Sequence, residues 1–115
     1  MLTYTAMELA LRAIAEPRRR DILLLIQDRE MAAGEIATHF DVTRPAVSQH
    51  LAVLLAAGLI TVRKQGTQRI YQSRPQGLAK VREFLERFWD DRLLMLAQEA
   101  EAEERRSDIG DSNRQ

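Results

Sequence analysis

The sequence predicts a mainly α-helical fold that contains one small β-hairpin. Up to Gly58, apolar residues recur at three- and four-residue steps, which is the spacing of helices that bury one face. The pattern then changes to two short β-rich runs before helical spacing returns near Leu78. The expected order is therefore four helices, a hairpin and a fifth helix.

Helix-starting and helix-ending residues place the first four helices. The first is predicted over 5–15, and the second begins at Pro17, because proline is tolerated in a first helical turn. The third is predicted over 33–40 and lacks a usual capping side chain. The fourth begins after Thr43, which can cap it, and ends at Gly58.

The hairpin and the last helix complete the fold. The β-rich runs 59–63 and 69–73 are joined by a loop that contains Gly66, and residues 28–32 are predicted to form a turn. The last helix is predicted from Leu78 to about Glu104. One domain is expected over residues 1–105, followed by a polar, disordered tail over 106–115.

The connection between the third and fourth helices is very short. Only Asp41, Val42 and Thr43 join them, so the two helices should cross steeply and leave the fourth exposed along one side. A hairpin lies next in the chain. This order is typical of the winged helix-turn-helix arrangement.

Charge is unevenly distributed along a chain whose formal net charge is zero. Residues 42–82 contain no acid, whereas the chain from Glu83 onward has ten acids and five bases. Such a division predicts one face that can approach phosphate, although a chance gap in the acids would give the same pattern. The seven bases of the acid-free stretch are Arg44, Arg63, Lys64, Arg69, Arg74, Lys80 and Arg82.

The start of the fourth helix carries residue types that recognise base edges. Val47 and Leu51 are four residues apart and should anchor the helix to the core. Arginine can pair with guanine, glutamine with adenine and serine with either, while an alanine methyl can pack against thymine. The alternative is an ordinary solvated helix face. The candidate DNA-binding residues of this helix are Thr43, Arg44, Pro45, Ala46, Ser48 and Gln49.

The hairpin loop supplies a second candidate DNA contact, which we call the wing tip. Gly66 permits the turn, and the flanking cations could reach phosphate or the minor groove. Lysine and arginine also protect exposed sheet edges, which is the alternative explanation. The wing tip consists of Arg63, Lys64, Gln65, Gly66, Thr67, Gln68 and Arg69.

Several function classes lack the residues that they need. The chain has no cysteine, and its two histidines, His39 and His50, are well separated, so we expect no catalytic activity and no cofactor. The adjacent Asp90 and Asp91 point about 100° apart on a helix and do not suggest a metal site. No signal peptide or membrane span is predicted, which makes the cytoplasm the expected location.

These stretches together resemble the ArsR (arsenical-repressor) family of winged-helix regulators. The matching stretches are 16–23, 43–51, 55–60 and the hairpin through Gly66 and Tyr71. The final helix around Phe88 is similar to a cysteine-free, autorepressor-like branch of that family. The resemblance implies a homodimer formed mainly by the first and last helices and bound to twofold-related half-sites. It also implies that His50 contacts phosphate, the alternative being a partly exposed side chain.

The last helix supports a dimer independently of the resemblance. Its 25 or so residues would extend about 37 Å, which is longer than one small core can cover. The alternative is a helix that packs wholly within its own monomer. The candidate dimer residues are Leu9, Ala13, Phe84, Phe88, Trp89 and Leu96.

The sequence therefore predicts a regulator that binds specific duplex operator DNA. Repression by promoter occlusion is expected, without a metal, and the sequence identifies no small-molecule effector. Two other classes are a winged-helix module that binds protein and, with the least support, an enzyme.

Overall fold

The computed structural model describes residues 4–88 and 91–112, without the side chains of 91–93 and 107–112. The chain divides after Val81 into two compact units. Within the described residues, the strands are β1 (Met31–Ala32), β2 (Ile60–Gln65) and β3 (Gln68–Ser73). The helices are α1 (Ala6–Ala15), α2 (Pro17–Leu25), α3 (Ala33–Thr38), α4 (Arg44–Ala56), α5 (Pro75–Phe88) and α6 (Asp91–Ser112). The predicted fold class is confirmed.

A short third strand extends the predicted hairpin into a three-stranded antiparallel sheet, in the order β1-β3-β2. Met31 pairs with Tyr71 and Ala32 pairs with Ile70, so the prediction that 28–32 form only a turn is wrong for the last two residues. Two residues are too few to show an alternating pattern. Their strand conformation depends on hydrogen bonds with β3, which is distant in sequence.

The last predicted helix, from Leu78 to about Glu104, begins and ends at different residues in the structure. Helix α5 begins earlier, at Pro75, and α6 begins at Asp91, with residues 89–90 outside the description. Helix α6 extends to Ser112, so residues 106–112 of the predicted tail are helical. Ion pairs one turn apart stabilise the helix as far as residue 106, since Arg105 pairs with Glu101 at 3.6 Å and Arg106 pairs with Glu103 at 3.1 Å. The domain boundary at residue 105 stays a prediction. No helix among the described residues has the length and apolar character needed to span a membrane.

One apolar core holds the elements of residues 4–81 together. The predicted anchors of α4 lie in it, because Val47, Leu51 and Leu54 have no exposed surface. Ala13 of α1 is also completely buried in this core. The prediction of a direct dimer contact by Ala13 is therefore wrong, since its small side chain lies on the face of α1 that packs inside its own chain.

The C-terminal end of α1 is closed by two arginines from the start of α2. Arg19 donates to the carbonyl oxygens of residues 12 and 13 at 3.1 and 2.7 Å. Arg20 donates to those of residues 14 and 15 at 2.8 and 3.2 Å. These are carbonyls that the helix itself leaves unpaired, and a cation at this end also opposes the helix dipole. The basic segment after Pro17 therefore has a structural role.

The end of α4 directs the chain into the sheet. Gly58 has a φ of +73°. The backbone N–H groups of Gly58 and Leu59 donate to the carbonyls of Leu55 and Leu54, at 3.0 and 3.1 Å. This is the Schellman arrangement, which needs a left-handed residue after the last helical turn. The predicted end of the helix at Gly58 is confirmed, and β2 follows immediately.

Candidate nucleic-acid interface

The first turn of α4 is held by a side-chain cap. Thr43 Oγ1 accepts a hydrogen bond from the backbone N–H of Ala46 at 3.2 Å, as the sequence predicts. Pro45 lies in the same turn, where its missing N–H has no cost. The hydroxyl of Thr43 thus caps α4 and fixes the residue at which the helix begins.

The N-terminal half of this helix exposes polar side chains beside its buried anchors. Arg44, Ser48 and Gln49 are exposed, and we call them the recognition face. Ala46 is half-buried beside them. Ala52, which sequence reasoning did not include, is exposed four residues after Ser48 and continues the same face. Its position at helical spacing from Arg44 and Ser48 was the available signal.

Arg44 also contacts the preceding helix. A Cβ atom built on Gly34 of α3 would lie 3.7 Å from Arg44 Cζ, so the guanidinium lies near the start of α3. The side chain thus has a defined place at the start of the recognition face.

A groove of about 740 Å³ separates α4 from the hairpin. Arg44, Ser48 and Ala52 line one side, and residues 67–69 of the wing tip line the other. Glu30 and Glu35 lie on the same lining, so the groove is not purely cationic. Of the predicted helix residues the groove brings Arg44 and Ser48 together with part of the wing tip, whereas Gln49 and Lys64 do not line it.

The wing tip is a tight hairpin. Strands β2 and β3 pair from Ile60↔Ser73 to Gln65↔Gln68, so only Gly66 and Thr67 form the turn. Gly66 has a φ of +64°, which a glycine adopts without strain. All of residues 62–69 are exposed.

Two cations of the wing tip lie directly opposite each other. Lys64 on β2 is the cross-strand partner of Arg69 on β3. Like charges in this position destabilise a hairpin, so sheet stability does not explain the pairing. Among the residues that the structure describes, neither side chain forms an ion pair with a carboxylate. The pair concentrates positive charge at the end of the wing.

Arg63 differs from Lys64 and Arg69 because its guanidinium already has partners within the protein. It forms an ion pair with Glu30 and donates from Nη1 to Gln65 Oε1 at 2.8 Å. The acid-free stretch of sequence therefore does not give an acid-free surface. Sequence reasoning missed Glu30, because it precedes β1 and reaches the wing only through the sheet.

Comparisons with known proteins identify the family. A model described as "Bacterial regulatory protein, arsR family" matches residues 16–62, which include α2 to α4. The HTH-type transcriptional regulator Rv2034 of Mycobacterium tuberculosis is 44% identical over 103 residues, which cover 90% of this chain and 96% of that protein. The chain belongs to the arsR family. It is a transcriptional regulator.

Two further relatives of this arsR-family regulator extend the comparison. The crystal structure of a "Possible transcriptional regulator for arsenical resistance" has a TM-score of 0.72 at 43% identity, covering 78% of this chain and 94% of that one. The transcriptional repressor SdpR of Bacillus subtilis is 44% identical over 62 residues, which cover 54% of this chain and 68% of that protein.

His50 of the arsR-family regulator is half-buried on α4. Its Nδ1 atom lies 3.5 Å from Nη1 of Arg19, the residue that also closes the end of α1. The structure thus connects α4 with the end of α1 through one arginine. A phosphate contact by His50 stays a prediction.

The candidate dimer residues other than Ala13 have different degrees of exposure. Leu9 and Phe84 are partly buried, while Phe88 and Leu96 are each 57% exposed. Phe84 and Phe88 form an edge-to-face pair with ring centroids 5.2 Å apart. Trp89 lies outside the described residues. The candidate dimer residues omitted three other exposed apolar side chains of the second unit, Leu85, Leu94 and Met95.

The described part of this regulator contains no group of three or more histidine, aspartate or glutamate side chains arranged to hold a metal ion. Asp90 and the side chain of Asp91 lie outside the description.

Proposed function

We propose that this arsR-family regulator binds specific duplex DNA as a homodimer and represses transcription by occupying the promoter, without a bound metal. The observation that carries the proposal is the position of the recognition face. It is polar and exposed, it is held in place by three completely buried side chains, and it lies across a groove from a cationic hairpin.

The recognition face suits the major groove. The N-terminal turns of a recognition helix meet base edges, where Arg44 can pair with guanine and Gln49 with adenine. Ala46 and Ala52 are small and would let the helix axis approach the bases closely. Each two-hydrogen-bond contact would discriminate against a wrong base by about 1–3 kcal/mol.

The wing suits the sugar–phosphate backbone. Lys64 and Arg69 present two adjacent positive charges, and such contacts position a protein on the duplex without reading sequence. With α4 in the major groove of the DNA, one sugar–phosphate strand would pass between α4 and the wing tip. This is where the groove of the protein lies.

Exposed apolar side chains support the homodimer, in which α5 and α6 with α1 would form the interface. Phe88 and Leu96 are large, apolar and more than half exposed, which favours burial against a second copy. A twofold pair would present two recognition faces to half-sites about 34 Å apart. A dimer that covers both half-sites would exclude polymerase from the same duplex.

Metal independence is supported by the composition. The chain contains no cysteine, and both of its histidines precede α5. Thiolate and imidazole are the side chains on which transition-metal sites most depend.

Selection from random duplexes, followed by titrations of fluorescence anisotropy, tests the proposal. We expect a selected duplex with two inverted half-sites. Arg44→Ala and Gln49→Ala should lose affinity for it and retain affinity for arbitrary duplex. Gln76→Ala is the matched control for Gln49→Ala, since Gln76 is an exposed glutamine of α5 and lies outside the recognition face.

Salt titrations test the wing. Lys64→Gln and Arg69→Gln should weaken binding to every duplex and flatten the slope of log affinity against log salt by about 0.9 each. Lys80→Gln removes the same charge from an exposed residue of α5, outside the wing tip, and should leave the slope unchanged. A wild-type protein that binds no duplex in dilute buffer would refute the proposal and favour a protein-binding module.

A further inference from the structure

We propose that Glu30 limits the affinity of this regulator for DNA by holding Arg63 in an ion pair, so that Arg63 does not contact phosphate until Glu30 is removed. The inference rests on the proposed DNA binding. It assigns Glu30 a role that opposes the attraction of the wing-tip cations to phosphate.

The contacts of Arg63 occupy all three nitrogens of its guanidinium group. Nη2 is paired with Glu30 Oε1, Nε donates to Glu30 Oε2 at 3.4 Å, and Nη1 donates to Gln65 Oε1 at 2.8 Å. Both carboxylate oxygens of Glu30 are used in this fork. A phosphate bound through Nε and Nη2 would need the same donors in the same geometry, so carboxylate and phosphate compete for this edge of the guanidinium.

The sheet explains why a residue so distant in sequence reaches the wing. Arg63 lies on β2 opposite Ile70 of β3, and Ile70 pairs in turn with Ala32 of β1. Glu30 comes just before β1, so the ion pair spans the central strand. The pairing therefore depends on the short third strand of the sheet.

Solvent exposure determines how firmly the pair is held. The side chains of Arg63 and Glu30 are 47% and 42% exposed, which makes this a surface ion pair of modest strength that salt weakens. It nevertheless keeps one cation occupied and adds a negative charge to the groove lining. Binding to arbitrary duplex consists almost wholly of phosphate contacts, so withholding one contact keeps that binding weak.

A second acid of the same groove provides the control. Glu35 also lines the groove, but its ion-pair partner is Arg29, which is not part of the wing. Removing either glutamate changes the charge of the groove by the same amount. Only the removal of Glu30 releases a wing cation.

The experiment compares wild type, Glu30→Gln, Arg63→Gln, the double variant and Glu35→Gln. Each is titrated with a fluorescent 20-base-pair duplex of arbitrary sequence at 50, 100 and 200 mM salt. Glu30→Gln should bind more tightly and steepen the salt slope by about 0.9, so its advantage over wild type should shrink about 3.5-fold between 50 and 200 mM. Arg63→Gln alone should leave the slope unchanged, and the double variant should behave like Arg63→Gln. The circular dichroism and thermal midpoint of each variant verify folding.

Three outcomes would overturn the inference while the proposed DNA binding stands. The first is a Glu30→Gln protein with wild-type affinity and slope. The second is an Arg63→Gln slope flattened by about 0.9, because Arg63 would then contact phosphate already. The third is an equal gain in Glu35→Gln, which would show a general charge effect. Absence of duplex binding by the wild type would instead refute the proposed function itself.

Discussion

Replacement of Gly77 by alanine should reveal how tightly the start of α5 is packed against the end of α4. A Cβ atom at Gly77 would lie 2.0 Å from the carbonyl oxygen of Gly58 and 3.0 Å from its carbon. These atoms belong to backbone, so no side chain can rotate away. The two segments would have to separate by about 1 Å before the contact became tolerable.

Hydrogen bonds oppose that separation. Arg74 Nη1 donates to the carbonyl of Gly58 at 3.1 Å, and the backbone N–H of Arg74 donates to Leu59 at 2.9 Å. Overpacking costs about 1–3 kcal/mol. Weakening a hydrogen bond from a charged group costs about 1.5–3 kcal/mol, while alanine recovers up to about 1 kcal/mol of helix propensity. We therefore expect Gly77→Ala to lower the free energy of unfolding by about 3 kcal/mol.

Urea unfolding followed by circular dichroism at a fixed protein concentration measures this change. Gly34→Ala is the matched control, because a Cβ there meets only the side chain of Arg44, at 3.7 Å. That variant should be more stable than wild type by about 0.5 kcal/mol, since alanine is the better helix former. If Gly77→Ala unfolds within about 0.5 kcal/mol of wild type at an unchanged slope, the close approach does not constrain the fold.

The remaining predictions concern the recognition helix and the dimer. Thr43→Ala should cost about 1 kcal/mol in urea unfolding, because it removes the cap of α4, and an unchanged midpoint would mean that the cap contributes nothing. Leu51→Ala should cost about 2–5 kcal/mol in the same assay, since the side chain is completely buried; a loss below 1 kcal/mol would contradict that packing. Phe88→Ser should shift the protein from dimer to monomer in sedimentation equilibrium, whereas Leu24→Ser, at a 69% exposed position of α2, should not. Persistence of the Phe88→Ser dimer would exclude this residue from the interface.

Local signals explain why much of the recognition surface could be predicted. The cap at Thr43, the proline in the first turn and the glycine at residue 58 act within one helical turn of themselves. The spacing of Val47 and Leu51 then determines which side chains of α4 remain exposed. The recognition face follows from these residues alone.

The parts that sequence reasoning missed depend on contacts between distant segments. The strand at Met31 exists because β3 pairs with it, and Ala13 is buried because of the face of α1 that packs inside the core. Nothing in the sequence around Met31 shows this pairing, whereas the three-residue spacing of Ala10 and Ala13 was an available signal for the buried face of α1. The extension of α6 to Ser112 was also missed, and the ion pairs at three- and four-residue spacing, which can be found in the sequence, account for the helix only as far as residue 106.

The sequence by itself determined the helix-turn-helix, the hairpin beside it and the polar side chains that α4 exposes, since each depends on backbone preferences and apolar spacing over a few residues. Only the tertiary structure decided which cations are paired within the protein and which remain available to contact phosphate. Charge distribution along the chain suggested one face that can approach phosphate, but the sheet brings Glu30 to Arg63 and leaves Lys64 opposite Arg69. Electrostatic interactions act through space and fall with distance, so the pairing of charges depends on the fold and not on their order in the chain.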